Sequence, residues 1–338
     1  MRRVIYWRYY LWKCNMKKIR IGVLGCANIA HRSVIPAILS LPECFELVAI
    51  ASRTLDKATI FAQEFGCEAM APYEKLLQRK DIDAVYLPLP TGLHKEWINK
   101  ALCAGKHVYA EKSIAFTLGD ALEMVQNARA HNVALMEGFM FQYHSQNLKV
   151  KEMLANGAVG EIRYFTGSFG FPPFPDADNF RYDREIGGGA IFDACGYPVR
   201  AVFYLLGDSL KVQGASVFYD QAHKSSLYGS AFLRGENGIG ASISFGFDNY
   251  YQCNYQIWGS KGKLTVNKAY TPKVDQATTL TWEHDYQTEI IDCEADNHFV
   301  KAMMEFHHII SDPAFREKHY TAILQQSEAL DTIAKLTR

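Results

Sequence analysis

The sequence predicts an N-terminal α/β domain followed by an α+β domain with a large, open, mostly antiparallel sheet. Between residues 16 and 137, short apolar runs alternate with amphipathic stretches. This alternation is typical of a parallel, doubly wound sheet of the Rossmann type. Between residues 138 and 338, β-type runs are joined by turns such as Gly-Glu-Asn-Gly, as antiparallel hairpins require. The change of pattern places the domain boundary at 137/138.

Composition limits the class of protein. The 338 residues are 49% hydrophobic and 21% charged, which suits two globular domains with sizeable cores. Because the net charge is zero, neither nucleic acid nor an anionic membrane is expected as the main partner. The eight cysteines show no CxxC spacing and the histidines no HExxH motif, so we predict no metal site and reduced thiols in a cytoplasmic protein.

Residues 1–15 are aromatic and basic. Their apolar stretch is interrupted by Arg8 and is too short for a signal peptide or a membrane span. Met16-Lys17-Lys18, directly before the first predicted strand, looks like a natural start. We therefore expect residues 1–15 to be an extended start or a disordered tail. No other segment approaches the length of a membrane span.

The elements of the first domain follow from its apolar runs. Six strands are predicted at Ile19–Leu24, Phe45–Ala51, Cys67–Met70, Ala84–Leu87, His107–Ala110 and Ala134–Glu137. Helical spacing between them predicts helices at Ser33–Leu41, Thr54–Phe65, Lys95–Ala104 and Leu118–His131. In such a sheet the ligand is expected beyond the carboxyl ends of the strands.

The second domain is predicted to be rich in strands. Its β-type runs are Ile162–Phe171, Lys211–Tyr219, Ser226–Arg234, Gly238–Phe247, Tyr251–Trp258 and Lys263–Val266. Helices are predicted over Asn147–Asn156, over Ala295–Ile310 and from Thr321 to the end. An open sheet of this kind exposes one face, so we expect a homodimer or a homotetramer.

The phrase IGVLGCANIA (Ile21–Ala30) predicts a strand, a tight turn and the start of a helix. Backbone N–H groups at such a helix start can hold a pyrophosphate. The candidate contacts to a dinucleotide are Gly25, Cys26, Ala27, Asn28 and Ile29. The alternative is an ordinary strand–turn–helix in which small residues serve packing, but a second apolar run follows with the right spacing, which favours the dinucleotide.

That second run ends in Ser52-Arg53. An NAD-binding fold usually carries Asp or Glu here, where the carboxylate binds a ribose 2′-hydroxyl and repels a 2′-phosphate. An arginine does the reverse. Ser52 and Arg53 therefore predict NADP(H) as the cofactor, with NAD(H) as the less favoured choice.

Two further motifs carry the chemistry. Glu111-Lys112-Ser113 follows the strand His107–Ala110, which puts Lys112 at the carboxyl edge of the sheet, although a surface Glu–Lys pair is an equal alternative. In GGGAIFDACGYPVR (Gly187–Arg200), helical spacing puts Asp193 and Tyr197 on one face, with Arg200 one turn further. This pattern fits an acid and a substrate-positioning group, whereas a buried core tyrosine is the alternative.

Together these motifs resemble the Gfo/Idh/MocA family of NAD(P)-dependent oxidoreductases over nearly the whole chain from Lys18. The resemblance also rests on Pro88–Ser113, Glu137–His144 and Asp296–Phe299. Within the family the chain looks closest to the nucleotide-sugar (dTDP-hexose) 3-ketoreductases of deoxysugar pathways.

The resemblance implies roles by position. Lys112 matches the lysine of the Glu-Lys-Pro motif near the nicotinamide, and Asp193 and Tyr197 match the Asp-x-x-x-His/Tyr motif, so these three are the candidate catalytic residues. Ser113 departs from the pattern, which has proline. Thr91 and His94 match the loop that lies along the cofactor. Further candidate cofactor contacts are Leu89, Pro90, Glu111 and Lys112.

The resemblance implies that NADPH reduces a keto group on a hexose, and it favours a nucleotide-linked keto-deoxysugar as the substrate. Tyr197 would donate the proton, assisted by Lys112, while Asp193 orients the sugar or the lysine. Candidate substrate contacts are Tyr182, Asp193, Arg200 and Tyr250. Tyr182 with the neighbouring Arg181, and Tyr250, could form a wall that binds a nucleotide sugar, and ordinary sheet-surface and loop packing is an equal alternative. The alternatives are an NADP-dependent dehydrogenase of a free sugar, polyol or dihydrodiol, and a non-catalytic NADP-binding sensor.

Overall fold

A computed structural model describes residues 18–176, 178–207, 209–220 and 225–337. The predicted extension, residues 1–15, lies outside the described residues. The chain forms a six-stranded sheet and a separate eight-stranded sheet. The predicted fold class is confirmed.

The first sheet is parallel and its strands have the order β3-β2-β1-β4-β5-β6. The strands are β1 (Ile19–Leu24), β2 (Phe45–Ala51), β3 (Glu68–Met70), β4 (Ala84–Leu87), β5 (His107–Ala110) and β6 (Leu135–Glu137). All six agree with the prediction to within one residue at each end. Because β1 lies between β2 and β4, the direction of winding reverses there, and a ligand crevice opens beyond the carboxyl ends of these strands.

Five helices connect these strands. They are α1 (Ile35–Leu39), α2 (Leu55–Phe65), α3 (Tyr73–Leu77), α4 (His94–Cys103) and α5 (Leu118–Ala130). A π-helical turn, Ala30–Val34, directly precedes α1. The first helical segment therefore begins before the predicted Ser33, immediately after the glycine turn.

The second domain begins with α6 (Ser145–Ala155) and contains α7 (Gly196–Leu206). Its strands are β7 (Ile162–Gly170), β8 (Lys211–Tyr219), β9 (Ser226–Arg234), β10 (Gly240–Gly246), β11 (Gln252–Gly259), β12 (Gly262–Val266), β13 (Thr278–His284) and β14 (Gln287–Cys293). Only β7 and β10 pair in parallel, and the other described pairs are antiparallel.

Strands β13 and β14 were not predicted. They pair as a hairpin whose turn residues Asp285 and Tyr286 have φ of 47° and 61°. Glycine or asparagine is the usual sequence signal for such left-handed turn residues. Neither stands here, so the hairpin has no recognisable turn motif.

The core of the first domain extends into the last two helices, α8 (His298–Ser311) and α9 (Arg316–Leu336). The ring of Phe306 lies 5.6 Å from that of Tyr109, on the first sheet. On α9, the hydroxyl of Tyr320 donates to the Val133 carbonyl oxygen at 2.6 Å. The chain thus returns to its first domain after completing the second sheet.

The second sheet buries one face and leaves the other open. Phe165, Phe245 and Tyr255 are buried on the covered face. Large exposed side chains of the sheet strands include Phe218, Tyr228, Phe232, Trp258 and Ile290. Within the described ranges, no helix combines the length and the apolar character needed to cross a membrane.

Candidate active site

The turn after β1 is shaped by Gly25. Its φ is 125°, and a Cβ at this position would lie only 2.9 Å from Cδ2 of Leu89. The Gly25 N–H donates to the Ala51 carbonyl oxygen at 2.9 Å, which ties the turn to the end of β2. The amides of residues 26–29 follow at the start of the helical segment, where N–H groups lack helical acceptors and can bind phosphate.

Ser52 and Arg53 follow β2 at the same edge of the sheet. Ser52 is buried and its N–H donates to the Met70 carbonyl oxygen at 3.1 Å. Arg53 is exposed. Burial raises the pKa of the Tyr73 hydroxyl, and the Arg53 guanidinium partly offsets that rise, so these two side chains are within electrostatic reach. The edge therefore presents a cation and a buried hydroxyl group beside the glycine turn.

His94 also belongs to this edge of the sheet. Its ring is fully buried, with Nε2 2.8 Å from the Leu89 carbonyl oxygen and Nδ1 3.0 Å from that of Ser113. Burial lowers its pKa to about 4 in spite of these carbonyl oxygens, so the ring is neutral at pH 7. In this structure His94 links the loop of Leu89 to that of Ser113, and its contact with the cofactor stays a prediction.

The other predicted residues of this edge remain candidates. Thr91 begins a short 3-10 turn, Thr91–Leu93, and is buried together with Leu89. Pro90 precedes the turn and is half-buried. Burial raises the pKa of the Glu111 carboxyl, which accepts a hydrogen bond of 2.7 Å from the Tyr86 hydroxyl.

Lys112 reaches across the domain boundary to Asp193. Its ammonium forms an ion pair with the Asp193 carboxylate and also lies 3.1 Å from the Asp193 carbonyl oxygen. Both side chains are largely buried, at 12% and 17% exposure. The surface Glu–Lys alternative is therefore wrong for Lys112.

Arg181 is the second cation on Asp193, a contact that the sequence analysis did not predict. Its Nε lies 3.2 Å from Asp193 Oδ2. Burial alone would raise the pKa of the Asp193 carboxyl, but Lys112 and Arg181 outweigh it and the pKa is lowered. The carboxylate is thus held ionised between two cations. Arg181 lies over the rings of Phe174 and Phe180. These neighbouring aromatic residues were the only sequence signal for it.

Tyr197 lies on the other side of Lys112. The lysine Nζ is 5.3 Å from the centre of the tyrosine ring, and the rings of Phe169 and Phe139 pack against it edge-on. Burial raises the pKa of the Tyr197 hydroxyl well above its usual range, and the carboxylates of Glu111 and Asp193 raise it further. The phenol therefore keeps its proton at neutral pH.

A π-helical turn, Ile191–Cys195, carries Asp193 and leads directly into α7, which carries Tyr197. The wider turn changes the angle between successive side chains, so regular α-helical spacing does not apply here. Asp193 and Tyr197 still both approach Lys112. Arg200, one turn further, does not.

Three predicted substrate contacts, Tyr182, Arg200 and Tyr250, stay predictions, and the structure gives each of them different surroundings. Arg200 is buried, pairs with the Glu137 carboxylate and donates to the Ala322 carbonyl oxygen at 2.9 Å. Tyr182 is buried among aromatic rings and its hydroxyl accepts from the Phe174 N–H at 3.0 Å. Tyr250 is 88% exposed.

The loops of the two domains also touch directly. The Gly92 N–H donates to the Ile186 carbonyl oxygen at 2.9 Å. A Cβ at Gly92 would lie 2.0 Å from the Glu185 carbonyl oxygen, so only glycine allows this contact. The two domains are therefore in direct backbone contact at these loops.

The arrangement combines a protonated phenol, a cation and an ionised carboxylate at the edge of a dinucleotide-type turn. A phenol can donate a proton to an oxygen on which negative charge develops, and a nearby cation stabilises that charge. Among the residues that the structure describes, no cluster of His, Cys, Asp or Glu could hold a metal ion.

Two family profiles match the chain. Residues 19–139 match the oxidoreductase family with an NAD-binding Rossmann fold, GFO_IDH_MocA. Residues 147–265 match the GFO/IDH/MocA C-terminal domain.

Individual relatives match over almost the full length. A dTDP-3,4-didehydro-2,6-dideoxy-alpha-D-glucose 3-reductase from Saccharopolyspora spinosa is 40% identical, over 95% of this chain and 98% of the relative. The crystal structure of a 3-ketoreductase from Actinomadura kijaniata, in complex with NADP and TDP-benzene, superposes with a TM-score of 0.91 at 38% identity, over 95% of this chain and 98% of the other. A D-xylose 1-dehydrogenase (NADP(+)) from Haloferax volcanii is 31% identical over 78% of this chain and 80% of the relative.

Proposed function

The chain belongs to the GFO/IDH/MocA family of NAD(P)-dependent oxidoreductases, and from this premise we propose that it reduces a keto group on a nucleotide-linked deoxyhexose with NADPH. The observation that carries the proposal is the contact of Lys112 with both Asp193 and the ring of Tyr197. Support also comes from the relatives named as 3-reductases and from the relative solved with NADP and TDP-benzene.

The residues at the crevice edge fit a dinucleotide phosphate. Gly25 has a positive φ and packs closely against Leu89, so the turn suits glycine at this position. The amides of residues 26–29 would hold the pyrophosphate, and Ser52 and Arg53 would bind the 2′-phosphate of the adenosine. When bound, NADPH supplies the hydride for the reduction.

Tyr197 is the proposed proton donor. Because burial and two carboxylates raise the pKa of its hydroxyl, the phenol is protonated until negative charge develops on the keto oxygen. The Lys112 ammonium, fixed by Asp193, stabilises that charge and the phenolate that remains. Asp193 therefore acts by holding Lys112, and Arg181 by holding Asp193.

The test is turnover of a dTDP-linked keto-deoxyhexose, followed by the loss of NADPH absorbance. Tyr197→Phe removes the proposed donor and should lower kcat by about 10²–10⁴. Tyr204→Phe is the matched control, because Tyr204 lies on the same helix and its hydroxyl is engaged with the Gln142 carbonyl oxygen. An unchanged kcat in Tyr197→Phe would contradict the donor role, while no turnover by the unaltered protein would contradict the proposed reaction.

Oxidation of a free sugar by NADP⁺ is the second candidate. It is favoured by the sequence similarity to the D-xylose 1-dehydrogenase, which extends over most of both chains. Comparing the keto sugar with and without its nucleotide, and assaying D-xylose with NADP⁺, separates the two reactions. Faster turnover of the free sugar would reverse their order.

We also propose that the open face of the second sheet joins copies of the chain. The exposed rings of Phe218 and Tyr228 are stacked with centres 5.0 Å apart on this sheet, and Trp258 is exposed as well. Exposed apolar side chains on a sheet surface favour association. Sedimentation of the purified protein should give a dimer or a tetramer, and a monomer at micromolar concentration would contradict this.

A further inference from the structure

Ser113 occupies the position next to Lys112 at which the resembling family pattern carries proline. Its side chain is almost fully buried, at 1% exposure. The Ser113 hydroxyl donates to the Phe192 carbonyl oxygen at 2.7 Å. Phe192 directly precedes Asp193, so one hydrogen bond links the neighbour of Lys112 to the neighbour of Asp193.

We propose that Ser113 is a positioning residue whose hydroxyl fixes the Lys112 segment to the π-helical turn that carries Asp193. Proline has no side-chain donor and cannot make this bond. The serine therefore supplies this chain with a link between the two domains that the family pattern does not contain.

The other hydrogen bonds of the Lys112 segment stay within the first domain. The Ser113 carbonyl oxygen lies 3.0 Å from His94 Nδ1, and the Ile114 N–H donates to the Glu137 carboxylate at 2.9 Å. Both bonds hold the segment to its own domain. The serine hydroxyl and the Lys112 ammonium reach across to the π-helical turn.

Gly196 leaves the room that this bond needs. A Cβ at Gly196 would lie 3.2 Å from Ser113 Oγ and 3.0 Å from a ring carbon of Phe139. The hydroxyl thus fits a close approach between the segment and the start of α7. A buried bond at such a site is made without competition from water, so its loss should loosen the ion pair beside it.

The test measures how fast an amine-reactive ester labels Lys112, with each site read by peptide mass spectrometry on the full-length protein. In Ser113→Ala we expect Lys112 to be labelled about fivefold faster, because the variant loses one buried hydrogen bond that holds the Lys112 segment to the π-helical turn. Lys95, exposed and paired with Asp120, is the internal reference and should keep its rate.

Two further variants make the result specific. Ser226→Ala removes another buried hydroxyl that bonds the same turn, through the Ile191 N–H at 3.1 Å, but does not touch the Lys112 segment. It should leave Lys112 labelling unchanged, and Ser113→Thr, which keeps a hydroxyl, should label close to the unaltered rate. An unchanged rate in Ser113→Ala, or an equal rise in Ser226→Ala, would overturn the proposal.

The effect on turnover rests on the proposed function, whereas the labelling does not. With a keto sugar as substrate, Ser113→Ala should lower kcat severalfold while KM for NADPH stays near its original value. If the unaltered protein reduces no keto sugar but the labelling result holds, the proposed reaction fails and the role of Ser113 stands.

Discussion

The buried ion pair of Glu137 and Arg200 offers a sharp test of how the crevice is built. The two side chains are only 2% and 5% exposed. Glu137 also accepts a hydrogen bond from the Ile114 N–H at 2.9 Å, and Arg200 donates to the Ala322 carbonyl oxygen. Removal of either charge would leave the other buried without its partner.

The expected size follows from that burial. Glu137→Gln keeps an acceptor for Ile114 but leaves the Arg200 guanidinium uncompensated, which should lower the free energy of unfolding by about 3–5 kcal/mol. Arg200→Met leaves the carboxylate uncompensated and should cost a similar amount. The double variant removes both charges and should lose less than the two single losses added together.

Urea unfolding of all variants, extrapolated linearly to water, measures these differences. Glu317→Gln is the matched control, because Glu317 pairs with Arg129 at the surface, where the two side chains are 62% and 45% exposed. An exposed pair of this kind contributes about 0–1 kcal/mol. If Glu137→Gln costs no more than Glu317→Gln, or if the two single losses simply add, the reasoning from burial is refuted.

Three more predictions concern the site and its pH dependence. In a fluorescence titration, Arg53→Ala should weaken NADPH binding about 10- to 100-fold and leave NADH binding unchanged. The control Arg32→Ala, at an exposed helix position, should change the binding of neither cofactor. Equal weakening for both cofactors in Arg53→Ala would contradict a 2′-phosphate contact. Arg181→Ala removes one of the two cations that hold the pKa of Asp193 low. The pKa of Asp193 should therefore rise, and the acid limb of the profile of kcat against pH should move to higher pH. An acid limb that does not move would count against the role of Asp193. Burial lowers the pKa of His298 to about 3, so the stability that its neutral ring contributes is present above pH 6.5 and is lost as the pH falls towards 3. In urea unfolding, His298→Gln should therefore reduce the dependence of the unfolding free energy on pH between 6.5 and 3. An unchanged dependence would assign it to other groups.

Much of the fold was predictable because the first domain follows local rules. Each of β1 to β6 is a short apolar run that ends at a turn or a polar residue, and such runs survive as strands because both faces of the sheet are covered. The hairpin of β13 and β14 was not predictable, because Asp285 and Tyr286 do not signal a left-handed turn.

The candidate catalytic residues were easier to predict than the residues that surround them. Lys112, Asp193 and Tyr197 lie in motifs, and the structure brings them together. Arg200 was assigned to the substrate because regular helical spacing was assumed. In the structure a π-helical turn precedes it, and its guanidinium forms an ion pair with Glu137. Arg181 lies only 12 residues before Asp193, but no sequence motif links the two, so only the folded structure reveals their contact.

The return of the last helix has a consequence for protein engineering. Tyr320 bonds Val133, Arg316 bonds Asn132, and the Leu118 N–H donates to Asp331 at 3.1 Å. Residues 18–137 are therefore completed by contacts from α9, which also bonds the second domain through Gln326 and the Gly196 carbonyl oxygen. A chimera that exchanges cofactor preference with another enzyme would have to carry residues 18–137 and α9, since a graft cut at residue 137 would leave these backbone groups without partners.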